Sequence, residues 1–146
     1  MKNYSNKIIA TLCYIVKDGK VLMLRRVKKS NDIHYGKYNG LGGKLEKGET
    51  PYECVIREVK EESGILIKRP ILKGILNFPD FDLHNDWIVF VYIEKEFEGT
   101  IIDSSEGILE WIDINDILNV SLWEGDKVFL KYVFNDKSFF YGTFYY

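Results

Sequence analysis

Residues 43–65 read GKLEKGETPYECVIREVKEESGI, and this stretch decides how the rest of the chain is read. Pro51 suits the first turn of a helix, Thr50 before it is an N-cap residue, and Glu53 three positions after Thr50 completes a capping box. Gly64 supplies the C-terminal stop. The spacing predicts a helix from Thr50 to Ser63. On it Glu58, Glu61 and Glu62 stand at i, i+3 and i+4, so their carboxylates share one face, while Val55, Ile56 and Val59 point toward a core.

Three like charges this close repel one another unless a cation neutralises them, and hard carboxylate oxygens select Mg²⁺ or Mn²⁺ over zinc. Mg²⁺ bridges a few carboxylates to substrate phosphates, so the expected partner is a small phosphorylated molecule. Water becomes the nucleophile, and the expected reaction is hydrolysis of a diphosphate linkage. A glutamate-rich helix with interspersed Arg and Lys is by itself more often a solvated face. Gly43, Glu49, Arg57 and Gly64, at fixed offsets around the three glutamates, turn the reading toward chemistry.

Those offsets run Gly, five residues, Glu, seven residues, Arg-Glu-apolar-any-Glu-Glu-any-Gly-apolar, with Val59 and Ile65 in the apolar places. At ~7% usage per residue type, seven fixed residues coincide by chance at on the order of one start position in 10⁸. The chain thereby resembles the Nudix hydrolases at every defining position of their signature. The resemblance implies an α/β (α+β) fold, an α/β/α sandwich with a central mixed β-sheet. It also implies that Glu58, Glu61 and Glu62, with the Gly43 carbonyl, hold Mg²⁺ or Mn²⁺. Arg57 is expected to orient Glu49 or Glu58 by a bidentate bond, and one helix glutamate or Glu106 to assist the water.

Four places outside that stretch resemble the MutT-type oxidised purine nucleoside triphosphatases of the same family. Tyr38-Asn39-Gly40-Leu41-Gly42-Gly43-Lys44 matches their entry to the helix, where the Asn binds the base; Lys44 adds positive charge there. Gly99-Thr100, then Glu106 and Trp111, matches the loop whose glutamate approaches the metal or water. Leu122-Trp123-Glu124-Gly125-Asp126 matches the segment in which a Trp stacks on the purine and acids read its edge. Phe140-Tyr141-Gly142-Thr143-Phe144 matches an aromatic closing strand. Thr11 and Arg26 align with positions lining the same pocket. One position departs: the mammalian members carry two adjacent acids where Gly125-Asp126 keeps only the second.

A wall carboxyl such as Asp126 can tell the N7–H of 8-oxoguanine from the bare N7 of guanine, by roughly 10- to 200-fold. The expected activity is therefore conversion of an oxidised purine (deoxy)nucleoside triphosphate to monophosphate and pyrophosphate. The alternatives are another nucleoside diphosphate derivative, such as ADP-ribose or a dinucleoside polyphosphate, and a nucleotide-binding module without catalysis.

The whole chain is consistent with one domain over residues 1–146, being 46% hydrophobic and 15% aromatic. Its formal net charge of −2 offers no basic field for polymeric nucleic acid. Ile8 to Val16 is too short and too mixed for a signal peptide, and no run reaches the length of a membrane span. Cys13 and Cys54 lack neighbouring partners and read as reduced core thiols of a cytoplasmic protein. The sequence carries no sign of an oligomeric state.

Around the helix, Ile8–Val16 and Val21–Val27 flank Asp18-Gly19, a hairpin signal. The polar run Lys28 to Lys37 reads as a loop over the site mouth. Strands are expected at Ile71–Phe78, Asp86–Phe97, Ile108–Ile112 and Phe139–Tyr146, with a brief helix over Asp113–Asn119 and a longer one over Glu124–Phe134. Asp80 to Asp86 reads as an exposed acidic turn, and neither His34 nor His84 is required by the chemistry.

Overall fold

Alternation along the first strand sets the layers. In the computed structural model, which describes Tyr4 and residues 6–82, 84–135 and 138–146, β1 spans Lys7–Lys17. Successive strand side chains point to opposite faces. Both faces of β1 are apolar: Ala10 and Tyr14 enter one core cluster, Cys13 and Ile15 the other. A strand covered on both sides belongs in the middle of a sheet.

The chain continues through β2 (Lys20–Arg25), β3 (Tyr38–Asn39), α1 (Pro51–Ser63), β4 (Leu66–Ile67), β5 (Ile71–Asp82), β6 (Asn85–Glu94), β7 (Phe97–Glu98) and β8 (Ile108–Asp113). A 3-10 turn at Ile114–Asn119, α2 (Glu124–Val133) and β9 (Phe140–Thr143) complete it. The main sheet runs β3-β2-β1-β6-β5-β9, with β8 added on β2. It is mixed, because β1–β6 and β5–β9 are parallel and the remaining pairs antiparallel. Val55 and Val59 of α1 pack on one face; Phe129, Leu130 and Val133 of α2 pack on the other. The result is an α/β/α sandwich with a central mixed sheet.

Local chemistry explains the ends of the key elements. The β1–β2 turn places Asp18 and Gly19 at φ of 51° and 74°, as a tight hairpin of this hand requires. Thr50 Oγ1 accepts the Glu53 N–H at 3.1 Å and Glu53 Oε1 accepts the Thr50 N–H at 3.0 Å, closing the capping box. Gly64 ends α1 at φ 79°. Ile56 is only half-buried, while Val55 and Val59 are fully so.

Four boundaries differ from expectation. β2 stops at Arg25, because Arg26 N–H turns to the Lys37 carbonyl and Gly36 N–H to the Arg26 carbonyl. The expected strand to Phe97 breaks after Glu94, whose buried carboxylate accepts the N–H groups of Arg69, Lys95 and Glu96. Phe97–Glu98 then pairs separately with β4. β5 runs on past Pro79 to Asp82 through an irregular register, where Pro is tolerated; the supposed acidic turn is thus largely the end of a hairpin. The closing run keeps only Phe140–Thr143 as strand, and Phe144 and Tyr146 stack over Phe78 at 5.8 and 6.0 Å. No helix among the described residues is long and apolar enough to cross a membrane.

Candidate active site

The site begins where residues 41–45 lie along β1. Thr11 N–H donates to the Gly43 carbonyl at 2.9 Å and Leu45 N–H to the Ile9 carbonyl at 3.0 Å. At Gly42 a Cβ would fall 1.9 Å from the Thr11 carbonyl oxygen, so only glycine allows this approach. The Gly42 N–H then donates to Glu62 Oε1 at 2.8 Å. At Gly43 a Cβ would meet the Glu58 carboxyl carbon at 2.4 Å. The two glycines let the loop press directly against the acidic face of α1.

Arg57 organises that face. Its guanidinium holds Glu49 through Nε and Nη2 at 2.7 and 2.9 Å, a bidentate bond, while Nη1 reaches Glu58 at 2.8 Å and Glu61 at 3.2 Å. Arg57, with help from the Glu46 N–H, holds the Glu49 carboxyl down at about 2. Arg57 thus bonds both Glu49 and Glu58, with the bidentate bond going to Glu49. Lysine keeps the charge but cannot make the fork. Arg57→Lys is expected to lower kcat about 10- to 100-fold, as losses of ligand-orienting partners do, with little change in thermal midpoint; steady-state kinetics and thermal unfolding check this.

Glu62 lies at the buried end of the cluster and is 9% exposed. Burial, and then the charges of Glu58 and Glu106, push its carboxyl up to about 8 against the pull of the Gly42 N–H. Glu58 is also raised, by burial first, with Arg57 opposing and Glu61 and Glu49 adding. Carboxylates pushed up together by burial and mutual repulsion are a hard-oxygen donor set that a divalent cation relieves, so their chemistry fits such an ion.

The arrangement is nonetheless more particular than three glutamates converging on an ion. Among the described residues no group of three such side chains is already placed to hold a metal. Arg57 takes up part of the charge of Glu58 and Glu61, and Glu61 remains 58% exposed. The Gly43 carbonyl faces β1, where it accepts Thr11 N–H and lies 3.3 Å from Thr11 Oγ1 and 3.5 Å from Cys54 Sγ. Both cysteines are free and buried, and burial pushes Cys54 up to about 11.

Glu106 is not itself a lining residue of the cavity beside this face; it is held near Glu62 by the lining residue Arg26 at 3.3 Å and by Lys29 at 3.2 Å. Arg26 also holds Asp32 at 2.8 Å, so the polar run 28–37 is braced against the site rather than loose above it. Trp111 is elsewhere: it stacks on Phe97 at 6.1 Å on the α1 face.

Between Glu62 and α2 lies a cavity of about 330 Å³. Its lining brings together Thr11, Arg26, Asn39, Lys44, Trp123 and Asp126 with Gly42, Gly43 and Glu62. Lys44 Nζ sits 5.3 Å over the Trp87 ring. Asn39 Nδ2 and Trp87 Nε1 are buried donors without a hydrogen-bond partner among the described residues, which buried donors rarely lack. Burial pushes the Asp126 carboxyl up to about 7, with Lys37 opposing.

Several lining residues are not marked as such by the sequence, among them His34, Phe81, Trp87 and Tyr146. Phe81 and Trp87 meet edge to face at 5.6 Å across the β5–β6 hairpin; strand alternation through Pro79 was the only signal for Phe81. Tyr146 explains why the first of the two acids is missing, at Gly125. Its hydroxyl accepts the Gly125 N–H at 2.8 Å, and a Cβ on Gly125 would come 2.4 Å from that oxygen. Glu124 is exposed and paired with Lys127 instead.

A fold with this glycine loop, arginine fork and acidic helix beside an aromatic pocket is that of a phosphoanhydride hydrolase. The NUDIX domain model matches residues 6–133, and the chain belongs to the Nudix hydrolase family. Nudix enzymes act on pyrophosphate bonds of nucleoside diphosphate derivatives, so this is an enzyme of small nucleotide substrates; the family is generally dependent on divalent metal. A Bacillus subtilis protein described as an uncharacterized Nudix hydrolase, YvcI, is 36% identical over 140 residues, covering 93% of this chain and 85% of its own. An oxidized purine nucleoside triphosphate hydrolase of Danio rerio is 29% identical over 136 residues, covering 93% and 85%. An ADP-ribose pyrophosphatase of Methanocaldococcus jannaschii is 31% identical over 133 residues, covering 89% and 75%. The crystal structure of a MutT protein from Bacillus halodurans superposes with a TM-score of 0.85 at 36% identity, covering 95% of this chain and 90% of that one.

Proposed function

We propose that the chain is a Mg²⁺-dependent pyrophosphohydrolase of oxidised purine (deoxy)nucleoside triphosphates such as 8-oxo-dGTP, yielding monophosphate and pyrophosphate. The observation that carries this is the pocket itself, where Trp123, the Asn39 Nδ2 that has no partner among the described residues, and Asp126, pushed up to about 7 by burial, share one cavity with Glu62 and Gly42. An aromatic face with donors and acceptors at its rim is what a purine edge requires. The relatives that act on oxidised purine nucleoside triphosphates support the reading.

In this reading Glu58, Glu61 and Glu62 would hold the ion, Mg²⁺ or Mn²⁺, which when bound would supply charge neutralisation on the phosphates and Lewis acidity toward the attacking water. Arg57 keeps Glu58 and Glu49 in place. Glu106, held by Arg26 and Lys29, adds a carboxylate beside Glu62, and the base that takes the water's proton belongs to this set of glutamates. Asn39 donates to the base, Asp126 reads its edge, and Thr11 clips β1 to Gly43 beneath the phosphates. Lys44 and Arg26 add positive charge where the triphosphate enters. The chain acts as one domain.

Pyrophosphate against phosphate release, measured with Mg²⁺ across 8-oxo-dGTP, 2-oxo-dATP, dGTP, ADP-ribose and diadenosine polyphosphates, tests it. Preferential pyrophosphate release from an oxidised purine is expected. Preference for ADP-ribose would favour the rival substrate suggested by the archaeal relative, and no turnover of any would leave a nucleotide-binding module.

Asp126 adds a pH signature. Above about 7 the ionised carboxyl accepts only, matching the N7–H of 8-oxoguanine. As pH falls through that value the protonated carboxyl can donate to the bare N7 of guanine. The preference for 8-oxo-dGTP over dGTP in kcat/KM is expected to narrow several-fold from pH 8 to pH 6, and Asp126→Asn to abolish that pH dependence. Equal loss on both substrates at every pH would remove Asp126 from the base edge.

A further inference from the structure

The loop between β2 and β3 carries His34, to which neither the signature nor the phosphate chemistry gives a task. Its Nδ1 accepts the Trp123 Nε1–H at 2.8 Å, and the rings meet edge to face at 5.4 Å and 82°. An indole N–H can only donate, so this bond assigns His34 the neutral form with its proton on Nε2. The His34 backbone N–H in turn donates to Asp32 Oδ1 at 2.9 Å. Asp32 Oδ2 pairs with Arg26, and Arg26 with Glu106. A bonded chain thus runs from Glu106 through Arg26, Asp32 and His34 to the indole.

Trp123 needs such a restraint. It occupies the N-cap of α2 without a side-chain cap bond of its own. Apart from His34, the Tyr146 ring edge-on at 5.8 Å and the Lys37 ammonium at 5.7 Å border its ring. Neither of these contacts engages the indole N–H. A stacking surface held in its bound orientation binds more tightly because less freedom is lost when ligand arrives.

We propose that His34 is a positioning residue for the nucleobase: by accepting the Trp123 indole proton it locks the plane on which a purine stacks, and so sets KM for base-bearing substrates. This rests on Trp123 being the base platform, as proposed above. Because the bond needs an unprotonated Nδ1, it is present above the His34 pKa and lost as pH falls through it. Burial lowers that pKa below the usual imidazole value, Arg26 adding to the effect and Asp32 opposing it. The other charged groups around the pair are Lys37, over the indole, and Asp126, which lines the same cavity in the first turn of α2 with its N–H on the Trp123 carbonyl at 3.0 Å.

The test compares the natural protein with His34→Leu, His34→Asn and Trp123→Ala, using 8-oxo-dGTP turnover and calorimetric titration with 8-oxo-dGMP. Asparagine keeps an acceptor oxygen as many bonds from the backbone as Nδ1, and it does not titrate. His34→Leu is expected to raise KM and the product Kd about tenfold, the share of one hydrogen bond, with kcat changed less than about twofold. His34→Asn should stay near the natural value and lose the part of the acid rise in KM that belongs to the imidazole. If Trp123→Ala raises KM while His34→Leu does not, the positioning role is overturned and the platform survives. Loss in His34→Asn equal to that in His34→Leu also overturns it, since the acceptor would then be irrelevant. An unchanged KM in Trp123→Ala overturns both readings. Should His34→Leu fail to fold, the pH profiles of the natural protein and His34→Asn decide alone: identical acid limbs overturn the proposal.

Discussion

Glu58→Gln is expected to lower kcat by about 10²- to 10³-fold, the loss typical when one preorganised charge partner of a transition state is removed. The amide keeps an oxygen for Arg57 Nη1, which now bonds Glu58 at 2.8 Å, and it adds no volume against Gly43. Thermal stability should therefore stay nearly constant while turnover collapses. Replacing an ionised oxygen with an amide also weakens hard-cation binding, so the Mg²⁺ concentration for half-maximal activity should rise. A Mg²⁺ titration of kcat beside a thermal melt separates the two effects. Turnover like that of the natural protein would remove Glu58 from the chemistry.

Gly42→Ala is expected to damage fold and activity together. Its Cβ would sit 1.9 Å from the Thr11 carbonyl oxygen, a backbone atom of the central strand that cannot rotate away. Relief requires residues 41–45 to lift from β1. The cost is about 3 kcal/mol, the upper end of ordinary overpacking, and the thermal midpoint should fall by roughly 10 °C. The same lift withdraws the Gly42 N–H from Glu62, so kcat should fall even in the fraction that remains folded. Gly48→Ala is the control: it has open space and φ of 82°, so it should cost only about 1 kcal/mol of backbone strain and leave kcat intact. Circular-dichroism melts and kcat per folded molecule read both. Equal behaviour of the two variants would mean that the close approach at Gly42 does not matter.

The two variants divide along the line between local and distant information. Thr50, Pro51, Glu53 and Gly64 announce α1 because caps and turns act within four residues, and the i, i+3, i+4 spacing of Glu58, Glu61 and Glu62 is likewise local. Asn39, Trp123 and Asp126 were legible through resemblance, and they do line one cavity although 87 residues separate Asn39 from Asp126 in the numbering. Strand ends were less legible. The break after Glu94 depends on a carboxylate turning back onto three backbone N–H groups, one of them from Arg69. His34 and Tyr146 were invisible as pocket residues, because each takes its role from a partner far along the chain, Trp123 for one and Gly125 for the other.

The sequence by itself determined the acidic helix, its caps and its glycine entry, and with them a hydrolase of phosphoanhydride bonds. These depend on spacing within a single turn or loop, where backbone geometry leaves few choices. Tertiary structure alone decided how the charge is shared. It gave Arg57 to Glu49, Glu58 and Glu61, left Glu62 buried on the Gly42 N–H, and braced Glu106 and Trp123 through the chain from Arg26 to His34. Such bonds join groups brought together only by the sheet, and a side chain's protonation and orientation follow from its neighbours in space rather than in sequence.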